Sequence, residues 1–393
     1  MRVLFWVQQL LGSGHLKRAA TLARAMADQG LEVTLAAGGM PLPWLMPRQV
    51  DVVQLPSIRT SDLSFSQLVG ADRGPVDDAL WAARQARLQH LLSDLRPRVV
   101  ITEMFPFGRR AFRRELIPLL EAAAAMRPRP WRLCSVRDIL VRKPDRDSYL
   151  WMRDLAKAHY DRILVHTDPR LIPFDLTFPF VGELQDQLIN TGYVVDASAV
   201  SDAVPVGEPE VLVSAGGGRV GGALLEAAIE ARAQTSLADA PWRLVAGGSF
   251  DDVRFRAINA RLPAGVVLDR QRRDFDALFA NSLLSVSQAG YNTVVEGIRL
   301  LGKPMVLVPF ETATETEQRI RAERLVSLGL AEAVWESELA ASSLARAIDA
   351  AIRRPVTAGA TLDLDALDLN GAETTARLVM DYARRPAPSS EAA

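Results

Sequence analysis

The chain has 393 residues, 49% apolar and 24% charged, with 46 Lys and Arg against 47 Asp and Glu and a formal net charge of -1. That balance, with no polybasic arm, argues against nucleic acid as a partner. The single cysteine, Cys134, excludes an internal disulfide or a cysteine-based zinc site, and no run nears the ~18 apolar residues of a membrane-crossing helix. The opening MRVLFWVQQL reads as a strand entering a glycine loop rather than a signal peptide, so the expected location is the cytoplasm. The length suffices for two or three domains.

Val3–Val7 is the first predicted strand, followed by a loop through Gly14 and His15 and a helix over Leu16–Asp28 that Gly30 stops. Glu32–Ala37 is the second strand. The loop LLGSGH is not G-x-G-x-x-G and no acidic residue ends the second strand, which argues against a dinucleotide site. Met40–Met46 is a proline-broken apolar loop, read either as a lid on the sheet edge or as a patch facing an acceptor or a membrane. A helix over Asp78–Leu95 and a strand over Val99–Thr102 follow, with Glu103 just past the strand's end. Arg109, Arg110, Arg113 and Arg114 then cluster on about one helical turn, either as a solvated face or as an attractor of an anionic acceptor or phospholipid surface. Strands over Trp131–Val136 and Arg162–His166 flank a helix at Tyr149–His159. His15, Glu103, Asp138 and His166 therefore each follow a strand, and a doubly wound sheet would bring all four to one rim.

Asp186–Glu210 loses helical periodicity and reads as a connection, with a short strand at Tyr193–Val195. Glu210–Ser214 then opens a second strand–glycine loop–helix unit, AGGGRVGG before LLEAAIEARAQ, and Gly216, Gly217 and Gly218 would let backbone amides approach an anion. Strands over Trp242–Ala246 and Val266–Leu268 lead to Asp269, Arg270 and a short helix around Phe275–Phe279. The stretch from Leu283 to Gln318 follows: a buried strand, a polar turn Gln288–Gly290, a helix opening near Asn292 and Thr293, and a second buried strand over Met305–Val308. The free N–H groups and dipole of that helix start would favour a phosphate, and Glu296 lies one turn on, where a carboxylate could accept from a ribose diol. Helices over Arg319–Leu328, Ser337–Arg353 and Ala372–Arg384, with a strand at Ala331–Trp335, complete the chain.

SQAGYNTVVEGIRLLGKPMVLVPFE…EQ resembles the nucleotide-sugar motif of the GT-B glycosyltransferases, in the family 28 group that contains the undecaprenyl-linked N-acetylglucosaminyltransferase of peptidoglycan synthesis. One more residue separates Glu296 from Pro304 than in the family pattern. The resemblance implies an α/β GT-B fold, two facing Rossmann-like, doubly wound parallel-sheet domains with a cleft between them. The boundaries it suggests are an acceptor-side domain over 1–188, a connection over 189–209, a donor domain over 210–370, a helix crossing back over 371–385 and a disordered tail over 386–393. It implies an inverting, metal-independent transfer of a sugar from a nucleotide donor, a UDP-sugar, to an acceptor hydroxyl, with no bound cofactor. Donor contacts carried over are Gln288, Gly290, Asn292, Thr293, Glu296, Glu317 and Gln318, with Gly216–Gly218 and, at the nucleobase, Arg270, which could equally be a surface ion-pair partner.

For the base, His15 and Glu103 are the candidates; His15 matches the Gly-Gly-His loop of related transferases and could equally cap its helix. Gly14, Asp138 and His166 are read as acceptor-side residues. No Asp-x-Asp pair stands at a strand end, in line with metal-free chemistry. Relatives acting on lipid-linked acceptors leave lipid-linked or anionic acceptors and peripheral contact with the inner membrane face as expectations. Two other readings stay open: a GT-B epimerase or hydrolase of UDP-sugars, and a non-catalytic nucleotide-sugar-binding protein.

Overall fold

The structure, a computed structural model, describes residues 1–10, 12–60, 67–196, 207–216, 220–272, 274–300, 303–312, 316–353 and 366–388. It divides into two compact units, Met1–Val194 with Asp368–Ala393, and Val195–Leu367. Among the described residues no helix is long and apolar enough to cross a membrane.

In the first unit the strands are β1 (Arg2–Val7), β2 (Glu32–Ala37), β3 (Asp51–Gln54), a separate antiparallel pair β4 (Ile58–Thr60) and β5 (Leu68–Gly70), β6 (Val99–Glu103), β7 (Trp131–Arg137), β8 (Arg162–His166) and β9 (Leu188–Asn190). Seven of them form a parallel sheet in the order β3-β2-β1-β6-β7-β8-β9. Its central strands are apolar on both faces because helices cover both. Helices α1 (Gly14–Asp28), α2 (Asp78–Leu95), α3 (Arg113–Ala125) and α4 (Arg146–His159) alternate with them. Asp77 and Asp145 start α2 and α4 by accepting from Leu80 N at 2.8 Å and Ser148 N at 2.7 Å. One core layer joins Trp6, Leu88, Phe112, Leu116 and Ile163. The other joins Phe5, Leu16, Leu22 and Leu35 to Ala376, Val379 and Tyr382 of the chain's last helix. In the proline-broken loop a single turn over Pro43–Leu45 lays Leu42, Leu45 and Met46 against that second layer and leaves Trp44 47% exposed.

The second unit holds β10 (Val211–Ser214), α5 (Gly222–Arg232), β11 (Trp242–Val245), α6 (Asp252–Asn259), β12 (Val266–Asp269), α7 (Phe275–Asn281), β13 (Leu284–Ser287), α8 (Tyr291–Arg299), β14 (Met305–Leu307), α9 (Glu317–Ser327), β15 (Glu332–Ala333) and α10 (Ala341–Arg353). Its six parallel strands run β12-β11-β10-β13-β14-β15. The main core layer lies under α5 and α10, around Leu225, Trp242, Leu284 and Ile348. The last helix, α11 (Gly371–Arg384), packs on α1 of the first unit.

Several expected boundaries shift. The short strand expected within the connection at Tyr193–Val195 is a single bridge there, Val194 to Asn370, next to Tyr193 N donating to Asp368 O at 2.8 Å, and the strand of this stretch is Leu188–Asn190. The helix expected from Ser337 begins at Ala341, after a 3-10 turn over Glu336–Glu338.

Candidate active site

Each sheet reverses its strand order once, between β1 and β6 in the first unit and between β10 and β13 in the second. At such a reversal the loops leaving neighbouring strands turn to opposite faces and open a crevice beyond the carboxyl ends. His15 and Glu103 lie at the first and Gly216, Gln288 and Gly290 at the second, whereas Asp138 and His166 stand at the ends of β7 and β8, Arg270 after β12, and Glu317 and Gln318 after β14.

At the first reversal His15, in the first turn of α1, meets Glu103, the last residue of β6, with Nδ1 to Oε1 at 2.7 Å. Arg18, one turn further along α1, donates to the same carboxylate oxygen. Glu103 is fully buried, whereas His15 keeps 15% of its side chain exposed. Burial lowers the His15 pKa to about 3, with the Arg109 and Arg137 charges adding to the fall and Glu103 opposing it. Burial pushes Glu103 up, but the His15 and Arg18 charges and the hydrogen bond with His15 outweigh it and bring the carboxyl to about 2. At neutral pH the pair is therefore imidazole and carboxylate. A carboxylate only accepts, so Nδ1 carries the imidazole proton and Nε2 keeps a lone pair.

The loops around this pair are tied to the core by a buried cation. Arg84 of α2 has no exposure, and all five of its N–H groups find acceptors: Nε on Glu115 Oε2 at 2.7 Å, Nη2 on Glu115 Oε1 at 2.7 Å and Gln8 Oε1 at 2.9 Å, and Nη1 on Gly38 O at 3.0 Å and Pro56 O at 2.6 Å. Trp6 Nε1 completes Glu115 at 3.0 Å. One guanidinium thus fixes the chain where it leaves β1 and β2. Arg109, at φ 58, donates from Nε to Gln8 O at 2.8 Å, while Arg110, Arg113 and Arg114 are exposed.

Gly14 opens α1 beside His15. The other two acceptor-side candidates lie deeper. His166 is fully buried, its Nε2 2.7 Å from Ser135 Oγ and its Nδ1 2.8 Å from Thr191 Oγ1, and burial together with Arg18 lowers its pKa to about 3. Asp138 is buried too and accepts from Ile139 N at 2.9 Å. The sheet aligns both with His15 and Glu103, yet their side chains point into the protein.

At the second reversal Gly216 follows β10 with φ +71, a conformation that favours glycine, and Gln288 lies over it from the end of β13. Gln288 N donates to Ser214 O at 3.2 Å across the reversal. Gly217 and Gly218 lie outside the described residues. Gly290 is the N-cap of α8 with no side chain to cap it, and a Cβ there would meet nothing within 4 Å. Asn292 and Thr293 follow in the first turn, half-buried. Glu296, one turn on, is buried at 6% exposure and paired with Arg299, whose Nε donates to Oε2 at 2.8 Å. Glu317 begins α9, buried, and Gln318 Oε1 accepts from Phe310 N at 3.0 Å. Arg270 is held by Phe250 O at 3.0 Å, by Asp252 and by the Phe255 ring at 4.3 Å, which ties α6 to the end of β12.

Sequence reasoning missed the cations that support these groups. Arg321 of α9, with no exposure, donates to Ala289 O at 2.7 Å and so anchors the polar turn before α8. For Arg18 and Arg321 a signal existed: each lies three residues past a candidate, His15 and Gln318, on the same helix face. For Arg84 and Glu115 no local signal existed.

Two parallel-sheet α/β units, each with its candidate site at a strand-order reversal, are the architecture of the GT-B glycosyltransferases. The structure is similar over 99% of the chain to the calicheamicin glycosyltransferase CalG4, covering 100% of that chain, at TM-score 0.61 and 19% identity. It is similar over 97% of the chain to MurG of Acinetobacter baumannii, again covering 100% of that chain, at TM-score 0.61 and 16% identity. Within that fold the chain resembles glycosyltransferase family 28: residues 272–361 match the model of the "Glycosyltransferase family 28 C-terminal domain". Among curated relatives, the UDP-N-acetylglucosamine–N-acetylmuramyl-(pentapeptide) pyrophosphoryl-undecaprenol N-acetylglucosamine transferase of Brucella anthropi is 37% identical over 82 residues, 21% of this chain and 22% of that protein. The enzyme of the same name from Rhodopseudomonas palustris is 32% identical over 197 residues, 48% of this chain and 52% of that protein. The chain thus matches from about a fifth to about half of the length of these relatives.

Proposed function

We propose that the chain is an inverting glycosyltransferase that moves a sugar from a UDP-sugar to an acceptor hydroxyl, with neither a metal nor a bound cofactor in the step. The observation that carries the reading is the second reversal: an uncapped helix start at Gly290, a buried carboxylate at Glu296 one turn on, and Gln318 held at the end of the next strand. A helix N-terminus stabilises a departing diphosphate as its negative charge grows. Glu296 accepts from the ribose hydroxyls, and Gln318 and Glu317 meet the sugar.

The first unit supplies the base. His15 Nε2 takes the proton of the acceptor hydroxyl as that oxygen bonds to the anomeric carbon; the bond from that carbon to the diphosphate oxygen breaks, and its electron pair leaves with the nucleotide. Glu103 holds the tautomer and balances the imidazolium that forms. The acceptor is lipid-linked or anionic in this reading, and the half-exposed Trp44 supports peripheral contact with the cytoplasmic membrane face.

The test is calorimetry with UDP, dTDP, GDP, NAD and UDP-N-acetylglucosamine, without added metal. Selective binding of UDP and its sugar is expected. Binding of NAD alone would overturn the reading, and no binding at all would favour a non-catalytic role. Turnover of the UDP-sugar without any acceptor would favour a hydrolase or epimerase.

A further inference from the structure

His15 and Arg18 stand three residues apart at the start of α1, and both side chains meet Glu103 at the end of β6. They meet the same atom. His15 Nδ1 lies 2.7 Å from Glu103 Oε1, and Arg18 Nη2 donates to that oxygen too, while the buried Oε2 accepts from no described residue. One carboxylate oxygen has lone pairs for both donors, and sharing it puts the two nitrogens within about 5 Å of each other. The Arg18 and Glu103 side chains are 2% and 0% exposed, so water screens their charges little.

The protons on this pair decide whether His15 can act as a base. A single imidazole proton, at Nδ1, leaves Nε2 open. A second proton closes Nε2 wherever it settles: on the ring it makes imidazolium, and on Glu103 the carboxyl donates to Nδ1 and turns the ring to its Nε2–H form. A buried cation on the shared oxygen opposes that second proton. Burial pushes the Glu103 carboxyl up, and the His15 and Arg18 charges are the largest opposing influences, bringing it to about 2. The other charged or titratable groups facing the pair are Arg109 before α3, Arg137 at the end of β7, His166 at the end of β8 and the Cys134 thiol within β7. Among the described residues, Arg18 is the cation that bonds the carboxylate itself.

We propose that Arg18 is a positioning residue for the base: acting through Glu103, it keeps the His15–Glu103 pair from taking a second proton, so that Nε2 stays open to an acceptor hydroxyl. The role requires no contact between Arg18 and substrate. The inference rests on the reading of His15 as the base and adds the residue that keeps that base available.

The experiment is a nitrogen NMR titration of the full chain with isotopically labelled histidine rings, as wild type, Arg18→Met, Arg18→Gln and Arg18→Lys. The chain has four histidines, and His15→Gln assigns the resonances of interest. Ring nitrogen shifts report the state of Nδ1 and Nε2 separately. In the wild type Nε2 should stay unprotonated from about pH 8 down to about pH 5. Arg18→Met and Arg18→Gln should close Nε2 at a pH higher by about 1–3, the effect one neighbouring charge exerts. Arg18→Lys keeps the charge and should close it within about half a pH unit of the wild type. Gln can still donate to Glu103, so it separates loss of the charge from loss of the hydrogen bond. Thermal midpoints taken alongside identify the variants that remain folded.

The inference is overturned if the variants lacking the charge hold Nε2 open to the same pH as the wild type, or if Arg18→Lys closes it as early as Arg18→Met. A wild type whose Nε2 already carries a proton at neutral pH overturns it as well. If His15→Gln leaves sugar transfer intact, the base reading falls and takes this role with it, whatever the titration shows. If His15→Gln abolishes transfer and the titration does not move, the base stands and only the role of Arg18 falls.

Discussion

Acidification is the most direct test of the electrostatics at the first reversal. Two imidazoles, His15 and His166, are held at about 3 in the folded chain against an ordinary 6.5, in each case chiefly by burial. A folded pKa below the unfolded one means that the unfolded chain binds protons the folded chain refuses, so stability falls as the pH drops. The window runs from about pH 7.5, where unfolded imidazoles begin to protonate, down to about 3. Between pH 7.5 and 5.5 each histidine costs on the order of 1 kcal/mol, and the two together about 2–3 kcal/mol. His159, also lowered by burial, adds in the same direction. Glu103 adds nothing until lower pH, because its stabilisation is lost only as the carboxyl protonates between 4.5 and about 2.

The assay is guanidinium unfolding at constant ionic strength at pH 7.5, 6.5 and 5.5. With two units the transition need not be two-state, so it is followed by hydrogen exchange of β1, β6 and β8 amides, which belong to the first unit. His166→Asn should remove about half of the acid-induced loss. A free energy of exchange in those strands that stays within about 0.5 kcal/mol from pH 7.5 to 5.5 would refute the reasoning, as would an equal loss in the second unit alone.

Four further outcomes are expected. Arg84→Met should destabilise by about 3–5 kcal/mol, because it leaves Glu115 buried without its counter-charge, and adding Glu115→Gln should recover part of this; chemical denaturation reads both. His15→Gln should lower transfer by about 10²–10⁴-fold while donor affinity by calorimetry stays within about twofold, and near-native transfer would move the base to another residue. Glu296→Ala should weaken UDP binding while the chain stays folded; unchanged affinity would move the ribose contact elsewhere. Gly216→Ala should cost about 1–2 kcal/mol, since φ +71 is strained for alanine and its Cβ would lie 2.8 Å from Gln288 Oε1.

The parallel strands were legible because a strand buried on both faces is a continuous apolar run, as in Val3–Val7 and Val99–Ile101. Edge pieces were not: β3 is Asp-Val-Val-Gln, mostly exposed, and looks like loop. The helix over Arg113–Ala125 was obscured by Pro118 in its interior and by the arginines at its start. Helix α6 did carry a signal, since Asp251 caps it by accepting from Arg254 N at 2.8 Å, but its eight residues bury only Ile258. At the site, a sequence can propose that His15 and Glu103 each follow a strand. That they meet depends on β1 and β6 being neighbours, which is a fact of strand order across 88 residues. The five acceptors of Arg84 come from Gln8, Gly38, Pro56 and Glu115, and no local pattern links such distant positions.

The helix over Gly371–Arg384 has a consequence for how the chain is made. It completes a core layer of the first unit with Ala376, Val379 and Tyr382, so that unit is interrupted in sequence by the whole of the second. The ribosome finishes the inserted unit while its host still lacks a face. Chain exit and re-entry lie side by side, where Gly371 N donates to Tyr193 O at 2.9 Å, so the insert begins and ends at one stitch in the host. The half made first is therefore the half that waits, its α1 surface uncovered until Gly371–Arg384 leaves the tunnel.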